Sequence, residues 1–198
     1  MKKIGILGGS FDPIHYGHIA IAQDSILQFG LDLVFFMPTA QSPLKGHSPC
    51  APASSRYRMI ELAIKNQPKF EVLDWEILRS GTSYTIDTAV LLKKHWPDTN
   101  FYWIIGSDLL SSLPKWKNID QLTQLIEFIV VQRAPSQTSL TSLDSLPNLK
   151  LHVIHNPLCP ISSSEIRQAI ENHQPIDNFV PLEVKNYILI NKLYESKS

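Results

Sequence analysis

An α/β fold is what this sequence predicts, on three observations. Short apolar runs at residues 4–7, 33–37, 101–105 and 128–131 have the length and the β-branched or aromatic content of buried strands. Longer segments with helix-period apolar positions lie between them, at 18–29, 56–66 and 85–95. Glycine or proline marks the junctions, as at Gly30, Pro38 and Pro97. Strands alternating with helices make parallel pairs joined by right-handed crossovers. The expected architecture is Rossmann-like: doubly wound, with a mainly parallel sheet and helices on both faces.

Each element has its own signal. The first strand runs into Gly8-Gly9-Ser10, where the backbone can turn sharply and expose N–H groups that suit an anion. His15 and His18 sit three apart at the start of the next segment, so both can face the strand's carboxyl end. That segment is helical by Ile19, Ile21, Ala22, Ile26 and Phe29, and Gly30 is its expected stop. After the second strand, residues 39–55 read as a long loop with Pro43, Pro49 and Pro52, at a strand end where open α/β sheets bind ligands. A helix at 56–66 follows, capped by Ser54 or Ser55.

Residues 70–75 read as a third short strand, 80–83 as a turn and 85–95 as a helix. The strand at 101–105 ends in Gly106-Ser107-Asp108, where a helix begins. A short helix at 122–126, the strand at 128–131, a Ser/Thr/Pro-rich surface excursion at 134–147 and a last strand at 149–154 come next. Helices at 162–171 and 182–193 close the chain. One domain over 1–198 is expected, with the helical part from about 160 packed on it.

Composition narrows the function. Hydrophobic residues make up 43% of the 198 and charged residues 18%, the balance of a globular protein. Eighteen basic and 18 acidic residues cancel, which argues against a nucleic-acid partner held by a basic face. Cys50 and Cys159 are too few for a disulfide scaffold and lack metal-ligand spacing. No apolar run has the length of a membrane span and no signal peptide precedes the first strand, so a cytoplasmic protein with no membrane partner is expected. The sequence carries no signal for oligomeric state.

A strand, a glycine turn and two imidazoles at a helix start suit a phosphate. The alternatives are capping or buried histidines, or zinc, for which no cysteine or carboxylate cluster supplies the further ligands. Gly5, Gly8 and Gly9 are wrongly spaced for a dinucleotide fingerprint, and Pro38-Thr39 follows the second strand where an acid would be needed. The second signal is Ile161-Ser162-Ser163-Ser164-Glu165-Ile166-Arg167. Serine followed by glutamate fits a capping box. The same hydroxyls and N–H groups, with Arg167 one turn on, would also grip a polyphosphate. Asp108 reads equally as a helix cap, Trp116 as a surface aromatic and Lys45 as a solvated loop lysine. His47, His95, His152, His155 and His173 read as surface or packing residues.

Residues 8–18, GGSFDPIHYGH, resemble the signature of the nucleotidyltransferase superfamily with paired histidines, (H/T)xGH. Their wording is most similar to the bacterial nicotinate-nucleotide adenylyltransferase family. Residues 161–167 resemble the superfamily's ISSTxIR motif, with Ser164 where threonine is usual. Residues 83–88 resemble its SYTxxT segment, 106–108 its G(S/A/C)D turn, and 184–194 its closing helix, taken as core packing. Leu44 stands where the family pattern PPHK has histidine, so Lys45 alone carries over there.

The resemblance implies adenylyl transfer from ATP to nicotinate mononucleotide, giving nicotinate adenine dinucleotide and pyrophosphate. It implies that His15, His18, Lys45 and Arg167 are the catalytic groups. Gly8, Gly9, Ser10, Phe11, Gly106, Asp108, Ile161, Ser162 and Ser163 would join His15, His18 and Arg167 around ATP, with Asp108 beside the adenosine. Thr85, Trp116, Lys117, Lys45 and Arg133 would meet the mononucleotide, Trp116 stacking on its pyridine ring. Mg2+ would bind with ATP, and no metal would be held by the protein itself. The alternatives are another phosphorylated acceptor, nicotinamide mononucleotide among them, or a nucleotide-binding sensor without turnover.

Overall fold

The computed structural model describes residues 1–43, 47–132, 146–155 and 161–195. Strands β1 (Lys2–Gly9), β2 (Leu33–Pro38), β3 (Phe70–Val72), β4 (Thr99–Gly106), β5 (Glu127–Gln132) and β6 (Leu151–His155) form a parallel sheet in the order β3-β2-β1-β4-β5-β6. The helices are α1 (Tyr16–Phe29), α2 (Ala53–Ile64), α3 (Trp75–Arg79), α4 (Thr85–His95), α5 (Ile119–Leu125), α6 (Ser163–Glu171) and α7 (Leu182–Ile190). A 3-10 helix, Ser107–Lys115, follows β4. This is the doubly wound, Rossmann-like α/β fold expected from the alternation of elements.

Successive strand residues point to opposite faces, and both faces are apolar, so each face carries its own core. Leu7, Phe36, Ile104 and Ile129 pack with Ile21 of α1, Met59 of α2, Ile166 of α6 and Val184 of α7. Ile6, Phe35, Trp103 and Val130 pack with Ile86 of α4 and Leu122 of α5. The strand order reverses between β1 and β4, where Leu7 lies opposite Ile104. Crossovers diverge at that point, which leaves a crevice at the carboxyl ends of β1 and β4.

Three local readings change. Pro52, at φ −54° and ψ 150°, is the N-cap of α2, so Ser54 and Ser55 fall inside the helix and cap nothing. The fixed φ of proline delivers the chain into the helix earlier than hydroxyl capping would. Residues 70–75 are not one strand: β3 stops at Val72 and Trp75 opens α3. Trp75 stacks on Trp96 at 5.6 Å, a long-range contact that overrides local strand propensity. The last helix ends at Ile190, and the chain then turns through Lys192 and Tyr194, both with positive φ.

Candidate active site

β1 delivers the glycine turn to the crevice, with Gly8 opposite Met37 and Gly9 opposite Pro38 of β2. Phe11 takes a left-handed conformation, φ 47°, which turns its ring into the core. That ring meets Phe36 at 5.8 Å and His18 edge-on at 4.9 Å. Phe11 thus supports the histidine from beneath, and any contact it makes with a ligand comes from its backbone.

His15 is the N-cap of α1, with φ −147°, and His18 lies in the first turn. Their ring centroids are 3.7 Å apart. The main-chain N–H of His15 donates to Nδ1 of His18 at 3.3 Å. A neutral imidazole accepting at Nδ1 carries its proton on Nε2, so this bond selects the His18 tautomer. His15 is buried and His18 half-buried.

α6 comes from the far end of the chain to the same turn. Ser163 donates its hydroxyl to the Pro13 carbonyl at 2.9 Å. Arg167 donates from Nη1 to the Asp12 carbonyl at 2.8 Å and from Nη2 to Oγ of Ser164 at 3.2 Å. Ser162 forms the capping box with Glu165: its Oγ accepts from the Glu165 N–H at 3.2 Å, and its own N–H donates to Oε2 of Glu165 at 2.9 Å. The Ser162 hydroxyl, which donates to Oε2 of Glu165 at 2.8 Å, then the Ser162 N–H and the nearby charge of His15 hold the Glu165 carboxyl below its usual range. The serine hydroxyls are therefore committed to structure, and the motif's remaining resources are backbone N–H groups and the Arg167 guanidinium. Ile161, half-exposed, leads into this cap.

Three residues that sequence reasoning passed over hold the turn in place. Asp12 is buried, and its carboxylate accepts from the N–H groups of Cys50 at 2.7 Å and Ala51 at 3.0 Å. The phenol of Tyr194 donates to the same carboxylate. Arg56, 1% exposed, donates to the Ser10 carbonyl at 2.7 Å and to the Ala51 carbonyl at 3.3 Å. Burial pushes the Arg56 guanidinium down from its usual value, and the Asp12 charge opposes that shift. Asp12 stood inside the signature, but nothing in its spacing named its partners.

Across the crevice β4 ends at Gly106. A Cβ there would stand 2.2 Å from Oδ1 of Asp108, so only glycine lets that carboxylate fold back over the strand end. Trp116 is half-buried; its indole N–H donates to Oγ of Ser112 at 3.4 Å, and its ring lies 6.1 Å from that of Phe128. Lys117 reaches Asp87 at 3.4 Å and lies 4.4 Å over the Tyr84 ring. Thr85 opens α4 between those two partners.

The expected residues thus fall into two groups. Gly8 to Phe11 on the end of β1 and its turn, His15 and His18 at the start of α1, and Ser162, Ser163 and Arg167 at the start of α6 form one; Asp108 after β4, Thr85 on α4, and Trp116 and Lys117 after the 3-10 helix form the other. Lys45 and Arg133 lie outside the described residues.

A cytidylyltransferase-like family model matches residues 6–169. The nicotinate-nucleotide adenylyltransferase of Bacillus subtilis (strain 168) is 40% identical over 196 residues, spanning 99% of this chain and 100% of that protein. A probable nicotinate-nucleotide adenylyltransferase of Opitutus terrae is 42% identical over 192 residues, 97% of each chain. The chain belongs to the nicotinate-nucleotide adenylyltransferase family.

The fold of that family is seen in the Plasmodium falciparum nicotinic acid mononucleotide adenylyltransferase complexed with NaAD, which superposes with a TM-score of 0.79 at 25% identity over 98% of both chains. Membership in the nicotinate-nucleotide adenylyltransferase family agrees with the resemblance carried by residues 8–18 and 161–167. Among the described residues, no helix is long and apolar enough to cross a membrane.

Proposed function

We propose that this chain transfers the adenylyl group of ATP to nicotinate mononucleotide, releasing pyrophosphate and forming nicotinate adenine dinucleotide. One observation carries the reading: Arg167 and Ser163 reach the carbonyls of Asp12 and Pro13, beside the His15–His18 pair, whose rings lie 3.7 Å apart. Two phosphate motifs remote in sequence form one cationic turn at the switch point of the sheet. Family membership supports the same reaction, since its curated relatives carry that activity as their name.

In this reading a 5′-phosphate oxygen of the mononucleotide attacks the α-phosphorus in line. The new P–O bond forms as the bond to the β-phosphate oxygen breaks, and pyrophosphate leaves with the bonding electrons. The attacker is already anionic, so the protein's work is alignment and charge stabilisation rather than proton removal. His18 offers Nε2–H as a donor, His15 and Arg167 lie beside it, and backbone N–H groups of Gly8, Gly9, Ser10, Phe11 and Ser163 surround the triphosphate, while Ser162 shapes the start of α6 through its capping box with Glu165. Gly106 and Asp108 take the adenosine side; Thr85, Trp116 and Lys117 take the mononucleotide. Lys45 and Arg133 belong to this proposal by resemblance.

Mg2+ bound with ATP would supply further charge neutralisation. Among the described residues no three His, Cys, Asp or Glu are placed to hold a metal, which suits an ion carried by the nucleotide's own oxygens. A single nucleotidyltransferase domain in the cytoplasm completes the reading.

The test is pyrophosphate release with ATP, Mg2+ and either nicotinate or nicotinamide mononucleotide, side by side. A strong preference for nicotinate is expected. Preference for nicotinamide would overturn the acceptor, and no turnover with either, in protein that binds ATP, would overturn the reaction.

A further inference from the structure

The carboxyl of Glu76 is buried, 2% exposed, and plays no part in the chemistry above. It projects from α3 toward the start of α4. Its Oε1 accepts from the Thr88 hydroxyl at 2.7 Å, and Ser83 is near enough to help hold the carboxyl down. Ser83 is held from its other side by the chain leaving β2: its Oγ accepts from the Ala40 N–H at 3.0 Å, and its own N–H donates to the Gln41 carbonyl at 2.9 Å. Ser83, tied to the chain leaving β2, and Thr88, tied to Glu76, therefore bracket Thr85.

We propose that Glu76 is a positioning residue for the mononucleotide, fixing residues 83–88 so that Thr85, and Trp116 through Lys117, meet the acceptor in register. The link to Trp116 is the seat of Lys117 on Asp87 and the Tyr84 ring. The inference rests on the reading of Thr85, Trp116 and Lys117 as mononucleotide contacts. A buried carboxyl that accepts a hydroxyl fixes where the donor lies, and its removal strands that buried Thr88 group. Burial raises the Glu76 carboxyl above its ordinary value; Thr88, Ser83 and Arg79 pull it down, and Asp87 adds to the rise.

The experiment compares Glu76→Ala, Glu76→Gln and Thr88→Val with the unaltered chain, measuring KM for each substrate and equilibrium binding of ATP and nicotinate mononucleotide separately. Glu76→Ala is expected to weaken the mononucleotide about tenfold and ATP less than about twofold, the loss that follows from stranding buried hydrogen-bonding groups. Glu76→Gln keeps an acceptor oxygen in the same shape and is expected to recover most of that loss. Equal weakening of both substrates, or a change in thermal stability with both affinities intact, would overturn the role. If Glu76→Ala does not fold, Thr88→Val decides: an unchanged mononucleotide affinity sinks the inference. An unaltered chain that turns over neither mononucleotide faults the proposed reaction instead, and the binding measurements still read the split.

Discussion

The phenol of Tyr194 donates to Oδ1 of Asp12 at 2.8 Å, joining residues 182 positions apart. The C-terminal turn thereby closes over the same carboxylate that receives the Cys50 and Ala51 N–H groups. Burial first, and then the Asp12 charge, push the Tyr194 phenol far above its usual range, so it remains a neutral donor at every working pH. Tyr194→Phe keeps the ring and removes the donor. It is expected to cost about 1 kcal/mol, or about 2–4 °C in Tm for a chain of this size. Thermal unfolding that is unchanged in the variant would show the bond to be idle.

His18→Ala removes the one donor whose tautomer the His15 N–H selects. Turnover is expected to fall about a hundredfold or more, the range for losing a preorganised donor at a site of developing charge. Stopped or steady-state pyrophosphate release checks it, with circular dichroism to confirm folding. A folded variant with near-normal kcat would remove His18 from the chemistry.

Arg167 uses both arms of its guanidinium, one on the Asp12 carbonyl and one on Ser164. A lysine keeps the charge but cannot make both bonds from one plane. Arg167→Lys is expected to lower kcat/KM for ATP about tenfold, in line with the loss of a charge-assisted hydrogen bond. Activity within about twofold of the unaltered chain would mean that charge alone suffices.

Glu127 predicts a pH dependence of stability remote from the site. Its carboxylate lies 2.7 Å from Nε2 of His152 and accepts from Nζ of Lys150 at 3.1 Å. Burial raises the Glu127 carboxyl, but the hydrogen bonds and charges of His152 and Lys150 outweigh it and hold it below the usual glutamate value. The native state then gives up the proton more readily than the unfolded chain. The stabilisation is full above the ordinary glutamate range and is lost as pH falls through the depressed native value. Glu127→Gln is expected to lower Tm by about 2 °C at neutral pH, with the gap closing toward about pH 3. A gap that stays constant across that range would discount the pairing.

The paired histidines and the serine-rich helix start were legible because each lies in one short strand–turn–helix or loop–helix stretch, where spacing alone sets direction. Gly106 and Asp108 entered as site candidates only through the family resemblance, since spacing alone left Asp108 as a helix cap, and only the structure shows the carboxylate folding over the glycine. Arg56 read as an ordinary helix residue, and its burial against the Ser10 carbonyl comes from a segment 46 positions away. Glu76 follows directly on residues 70–75, which read as a strand, and the Trp75–Trp96 stack that accompanies the helix there has no local signature.

Hydrophobic period and punctuation by glycine and proline determine, from the sequence by itself, that this is a parallel α/β sheet with a phosphate-suited turn after its first strand. Those signals act over a few residues, and any chain carrying them must place that turn at a strand's carboxyl end. Which carboxylates are buried, and what holds them, was decided by tertiary structure. Asp12 with Tyr194 and Glu76 with Thr88 are pairs whose donors arrive on different elements, and a buried charge takes its partner from whatever the packed sheet brings within reach.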